Sequence, residues 1–190
     1  MRSSLRLVRN NSFLCKRTMN NTLNAKLDLE IIAQQEKRLQ FNTFDNTTAW
    51  LLGESIKKHC ESHNLAVTIE IRLCRDTIFF YAMLGTSPNN ADWARRKRNT
   101  TELQQRSSYA VGLALQEGET LESQSGLPAR DYAHHGGSVP IRAKELGVIG
   151  AATISGLPQR DDHNIVVQAI AALIGENLAT CSLISLDSES

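Results

Sequence analysis

Val67-Thr68-Ile69-Glu70-Ile71-Arg72-Leu73, then Cys74-Arg75-Asp76, then Thr77-Ile78-Phe79-Phe80-Tyr81-Ala82-Met83-Leu84, is the stretch that decides the fold class. In the first run Val67, Ile69, Ile71 and Leu73 alternate with Thr68, Glu70 and Arg72, the period of two that marks a strand with one apolar face. Arg75-Asp76 makes a tight turn. The second run carries apolar residues on both faces, which predicts a strand covered on both sides and hence the more central of the two. Together they predict an antiparallel hairpin.

A second hairpin is predicted from residues 138–142 and 148–154, joined through 143–147. Pro140 cannot donate to a ladder, so its strand is an edge or is locally irregular. Gly150-Ala151-Ala152 leave room for something packed closely alongside. Helices frame the hairpins. Asp28 is placed to cap a helix over 29–39, and Asp45 starts a better one. In the latter, Leu52, Ile56 and Cys60 form a buried stripe while Glu54, Lys57, Lys58 and Glu61 face water. Residues 92–106 read as a helix carrying Arg95-Arg96-Lys97-Arg98, and Ser107-Ser108 interrupts it before 109–115. Residues 116–131 read as a long loop of a length to cover a pocket. The longest helix runs from about Gln159 to Ala179. Two hairpins flanked by helices, without a βαβ alternation, give an α+β domain.

Composition narrows the function classes. The 190 residues carry a net charge of +1, but residues 1–18 hold five basic groups and no acidic one, which leaves 16 basic against 20 acidic over 19–190. A mildly acidic body argues against a general nucleic-acid binder, which needs a broad positive field. Cys15, Cys60, Cys74 and Cys181 form no CxxC pair and fit a reduced, cytoplasmic protein better than a disulfide scaffold or a zinc site. No apolar run approaches a membrane span. Residues 1–18 have the composition of a mitochondrial targeting segment. The plainer reading is a disordered tail, or an upstream start with Met19 as initiator. The expected organisation is an extension over 1–27, one domain over 28–181 and a polar tail over 182–190.

Several motifs occur in a telling order: Trp93-Ala94-Arg95-Arg96-Lys97-Arg98-Asn99-Thr100, Ser107-Ser108-Tyr109, His135-Gly136-Gly137-Ser138-Val139-Pro140-Ile141, Thr153-Ile154-Ser155-Gly156-Leu157 and Asp162-His163. Over roughly residues 30–180 they resemble uncharacterised protein family 0303, within the haem-degrading-domain superfamily that includes HbpS-like and GlcG-like proteins. The resemblance implies a three-layer α/β/α sandwich with a central antiparallel sheet, profilin-like in outline, that assembles into dimers and larger rings. It also implies haem as a possible cofactor, and a protein partner in tail-anchored protein targeting.

The candidate ligand-binding residues are His134, His135, Gly136, Gly137, Trp93, Arg95, Arg98, Ser155 and His163; no catalytic set and no metal site assembles from the sequence. His135 is the favoured ligand, because adjacent histidines in a strand point to opposite faces and it lies inside the family-like motif. The plain reading is that the glycines form a bulge or turn into an edge strand. The cationic run is suited to haem propionates or a small anionic ligand; its plain reading is a solvated helix face making ion pairs. Trp93 reads as a packing anchor. His59 and His63, at i and i+4, have metal-ligand spacing but no evident third ligand. Asp161 and Asp162 read as residues of a helix's first turn. Overall the chain reads as a non-catalytic, cytoplasmic, homo-oligomeric binding or accessory protein; the alternative is haem or small organic-acid chemistry at the HHGG loop. The polar face of 67–73 and the edge at Pro140 leave surface that the chain's own core does not cover. The HHGG segment and cationic helix are therefore expected at or beside a subunit interface.

Overall fold

The computed structural model describes residues 23–177, 179, 182 and 183. The readings for residues 1–18 and Cys181, and most of 182–190, fall outside them. Helix α1 (23–38) is followed by β1 (Gln40–Phe41), α2 (Asn46–Ser62), β2 (Thr68–Leu73), β3 (Asp76–Ala82), α3 (Pro88–Gln104) and α4 (Ser108–Ala114). Then come α5 (Leu121–Ser125), β4 (Ser138–Ala143), β5 (Gly147–Ser155) and α6 (Gln159–Ile174). The five strands form one open sheet in the order β1-β4-β5-β2-β3, antiparallel except for the two-residue parallel pairing of β1 with β4. Helices α2 and α6 cover one face and α3 the other. The α/β/α sandwich is as expected.

Both hairpins form. The β2–β3 turn passes through Cys74 and Arg75 at φ 49° and 74°, and in β5 the position of a Cβ on Gly150 is 2.0 Å from the Arg72 carbonyl oxygen. What packs against the small residues is therefore the main chain of β2. Asp45 caps α2, its carboxylate accepting from the Thr48 N–H at 2.8 Å. Leu52, Ile56 and Cys60 are fully buried against Ile69, Ile71 and Ile154.

Four expectations are corrected. First, β3 is an edge strand; the central positions belong to β5 and β2, and Phe80 is half exposed. An apolar run reports what covers a strand, not which strand of the chain covers it.

Second, the polar side of β2 is not open. Glu70 is buried under α3, where Arg98 donates to it at 2.8 Å, and Arg72 pairs with Glu102 at 3.3 Å. The Pro140 edge is occupied in part by β1, and Ile32 and Gln35 of α1, with Leu39 just after it, lie across a small gap from Val139 and Pro140. Both reasons for placing an interface at the HHGG segment are thereby removed.

Third, Asp28 does not cap α1 but lies inside it, buried. It accepts from Arg160 Nε at 2.9 Å, Arg160 Nη2 at 2.8 Å and the Tyr109 hydroxyl at 3.2 Å.

Fourth, boundaries move. Ser87 and Pro88 start α3 four residues early through a capping box with Asn90, 116–131 contains α5, and Gly175 in the left-handed region ends α6 at Ile174.

Candidate functional site

Helix α3 builds the site. Its buried residues Ala94, Lys97 and Thr101 recur at helical spacing and turn toward the sheet. Lys97, the third member of the cationic run, is almost wholly buried. Its ammonium donates to Asp162 Oδ2 at 2.7 Å and to the Ile154 carbonyl at 3.3 Å. Burial pushes the Asp162 carboxyl up, against the pull of Lys97 and of the Leu157 and Gly156 N–H groups. Asp162 is thus no cap residue; Pro158 occupies the α6 cap position without a side-chain bond. The pair ties α3 to α6 around the end of the β4–β5 ladder.

Gly137 makes room for it. At φ +124°, a Cβ there would stand 2.6 Å from the Ile154 oxygen, 2.8 Å from Lys97 Nζ and 2.9 Å from the Asp162 Cβ. No side chain fits that corner, so the glycine is a packing requirement. Below it, Ser138 Oγ meets Thr153 Oγ1 at 2.8 Å, and the Ser138 carbonyl accepts from Thr101 and Ser108 at 3.2 and 3.4 Å.

The remaining cations fasten the segment that leads into the histidines. Arg95 donates to Asp92, Asp131 and the Arg130 carbonyl, and Arg96 to the Ala129 carbonyl at 3.1 Å. Asn99 donates to the Asp131 carbonyl at 2.9 Å, and the Ala133 N–H donates to Thr100 Oγ1 at 3.1 Å. Arg95 and Arg98, nominated for an anion, are thus spent on carboxylates and carbonyls and do not line the cleft described next; Arg98 holds Glu70 and Asn99.

Held this way, 134–137 is a bend rather than a strand. The two imidazoles therefore do not alternate; they stack at 4.9 Å with their planes 20° apart. The argument that only one of them can address a ligand fails for that reason. Trp93 meets the His135 ring edge-on at 4.9 Å, and the Arg96 guanidinium lies 4.0 Å over the Trp93 ring. Neither ring nitrogen of His134 or His135 makes a hydrogen bond among the described residues. Burial holds the His135 pKa below the usual histidine value, helped by His134, Lys97 and Arg96; burial alone does so for His134. Both are neutral imidazoles at neutral pH.

Two depressions meet at Trp93 and His135. One, of about 290 Å³, is lined by Asn89, Asn90, Lys97, Ser155, Leu157 and Gln159 as well. The other, of about 210 Å³, adds Arg96, Leu121, Leu127, Tyr132 and His134. A larger cleft of about 630 Å³ lies toward the C-terminal end of α3, around Arg72, Arg75, Glu102 and Leu103, and holds none of the nominated residues.

The structure thus brings Trp93, His134, His135 and Ser155 together and places Gly137 beneath them. It does not bring His163 there. That residue is fully buried against α1, its Nε2 2.9 Å from Gln35 Oε1 and its Nδ1 without a partner among the described residues. Burial pushes its pKa down to about 4. Of the cationic run, Arg96 and Lys97 line these depressions rather than the nominated Arg95 and Arg98. The spacing Trp93, Arg96, Lys97 at i, i+3, i+4 was the available signal. The His59 and His63 rings lie 4.4 Å apart, tilted by 30°, at the end of α2, with no third ligand among the described residues. Among the described residues no group of three or more His, Cys, Asp or Glu converges as a metal site, and no helix is long and apolar enough to cross a membrane.

Comparison with known proteins places this architecture. A UPF0303 protein of Azotobacter vinelandii is 52% identical over 165 residues, covering 86% of this chain and 99% of its own. The crystal structure of Ybr137w protein superposes with a TM-score of 0.72 at 29% identity, over 77% of this chain and 87% of that one. The PduOC:heme complex shares the fold at a TM-score of 0.58 and 18% identity, over 68% and 93%. The family model described as haem degrading protein HbpS-like matches residues 44–171, so the chain belongs to the HbpS-like family, among its UPF0303 members.

Proposed function

We propose that this chain is a binding protein, with no catalytic step of its own, whose ligand is a flat molecule that accepts an imidazole at His135; haem is the candidate. One observation carries the reading: two stacked, neutral imidazoles with unengaged ring nitrogens face two adjoining depressions beside an indole. A neutral histidine nitrogen is the ligand that haem iron takes in many proteins. The donor set therefore fits the iron. Trp93, Leu121, Leu127 and Leu157 supply apolar surface for a macrocycle. The propionates are matched less well, since Arg95, Arg96 and Lys97 already hold carboxylates. A structural neighbour whose title names a heme complex supports the same class of ligand. An exposed thiol at Cys74 and a buried one at Cys60, both free, support a reducing, cytoplasmic location.

The test is optical. Hemin titrated into the full chain is expected to give a saturable Soret shift at one equivalent per chain, and His135→Ala to abolish it while His134→Ala weakens it. A wild type with no saturable shift removes haem; a shift unchanged in both histidine variants removes this site.

A further inference from the structure

Most buried hydroxyls under α3 have protein partners: Ser138 meets Thr153, Thr101 and Ser108 donate to the Ser138 carbonyl, and Ser107 accepts from the Ala110 N–H. Two hydroxyls depart from this. Ser155 stands two residues beyond Thr153 in β5, hence on the same α3 face of the sheet. It is only 5% exposed, and its hydroxyl makes no hydrogen bond among the described residues. Thr68, opposite Ser155 in the β2–β5 register, is fully buried, and its Oγ1 has no partner among them either. Buried polar groups are ordinarily paired, so two neighbouring exceptions call for an occupant that the chain does not supply.

Ser155 lies in the wall of the depression of about 290 Å³, and two helix starts meet there. Asn89 and Asn90 belong to the first turn of α3, and Gln159 opens α6, whose cap residue Pro158 makes no side-chain bond. Each helix start carries roughly half a positive charge. The Asn90 side chain accepts from the Ser87 N–H at 2.9 Å, which leaves the Asn89 amide without a partner among the described residues. Acidic side chains do not offset these charges inside the depression. The first turn of α3 has none, and Asp161 and Asp162 of α6 do not line it. Asp162 is taken up by Lys97 and the Leu157 N–H. The Lys97 ammonium does line the depression, with a third N–H beyond the two engaged by Asp162 and Ile154.

We propose that this depression is a binding site for a free short-chain monocarboxylate. The Ser155 hydroxyl and the Asn89 amide hold its oxygens between the two helix starts, and its alkyl end lies against Trp93 and Leu157. The wall offers donors, and a carboxylate is the small group that only accepts. The Lys97 charge is largely balanced by Asp162, so the field suits one negative charge and not a phosphate dianion. The site adjoins His135 but does not rest on the haem reading.

The test uses the full chain without haem, followed by heteronuclear NMR. The chain has two indoles, Trp93 in the depression and Trp50 on α2. Sodium acetate is expected to move the Trp93 Nε1–H resonance saturably and leave that of Trp50 in place, with a dissociation constant on the order of 1 millimolar. Sodium chloride at equal ionic strength is expected to move neither. Ser155→Ala is expected to weaken acetate about tenfold, the worth of a hydrogen bond to a charged group. Asn89→Ala, at an exposed position that folding does not depend on, is expected to weaken it about threefold. Acetamide, which has the shape without the charge, is expected to bind at least about tenfold more weakly than acetate. No saturable movement by about 50 millimolar acetate, far above that constant, overturns the proposal. Binding unchanged in both variants overturns the placement, and acetamide or inorganic phosphate binding as tightly as acetate overturns the ligand class. Hemin is absent throughout, so a failure here and a failure of the Soret titration are separate results.

Discussion

The two faces of the sheet are held by different physics. On the α2–α6 face, Ile69, Ile71 and Ile154 meet Leu52, Ile56, Val166 and Ile170 with no charge between them. On the α3 face, the contact runs through Arg98 and Glu70, Arg72 and Glu102, and hydroxyls around Ser138, with Lys97 and Asp162 closing its end. The apolar face asks only for volume and shape. The polar face asks for particular partners at particular distances, since each buried charge is tolerable only while its mate is present. The candidate site lies on the α3 side, where the groups that line it are held in this way.

The comparison can be broken most directly at Lys97. Lys97→Met leaves Asp162 buried without its cation and is expected to cost about 3–5 kcal/mol in urea unfolding. Adding Asp162→Leu should recover at least half of that loss, and a double variant no better than the single would contradict the account. On the other face Ile71→Ala is expected to cost about 2–5 kcal/mol through lost burial and a cavity. No partner substitution should rescue it, and the denaturant slope should stay unchanged.

Acid sharpens the contrast further. His163 is held at about 4 by burial, whereas an unfolded histidine titrates near 6.5. Between those values the unfolded chain binds a proton that the folded chain refuses, so stability is full above about 6.5 and falls as pH drops toward 4. The loss is about 3 kcal/mol at most, at ~1.4 kcal/mol per unit. His134 and His135, also shifted down, act in the same direction. Asp162, shifted up, opposes them at the acid end, so the urea midpoint is best followed from pH 7.5 to 5. A flat midpoint over that range would mean that His163 is not dry.

The smallest effect belongs to the surface. Lys58 and Glu54 pair at 3.1 Å with both side chains well exposed. Lys58→Ala should stay within about 0.5 kcal/mol of wild type, and less at high salt.

What could be read in advance follows the same division. Alternation at 67–73 and the stripe Leu52, Ile56, Cys60 gave the apolar face, because hydrophobic period is a local signal that burial reads directly. The polar face was misread as solvent-facing at Glu70 and Arg72, since a charged residue in a list does not announce that its counter-ion lies 28 or 30 residues away. Among the site residues, Trp93, His135 and Ser155 were nominated and do meet around one depression. Arg95 and Arg98 were nominated by charge alone, and charge alone does not say which cation on a helix is buried. His163 was nominated as part of the Asp162-His163 motif, and the helix turns it inward. The stacking of His134 on His135 was out of reach, because it depends on a bend imposed by α3.

That dependence has a consequence for how the chain tolerates change. The segment 129–133 is held to α3 almost wholly through its main chain: the carbonyls of Ala129, Arg130 and Asp131, and the N–H of Ala133. Only Asp131 contributes a side chain, to Arg95. Main-chain groups are supplied by any residue, so the identities at 129 and 130 are free to drift while the loop keeps its path. The fixed letters are in α3, at Arg95, Arg96, Asn99 and Thr100. In a saturation scan the loop would look permissive and the helix, more than 30 positions earlier, intolerant, although it is the loop that carries the two imidazoles.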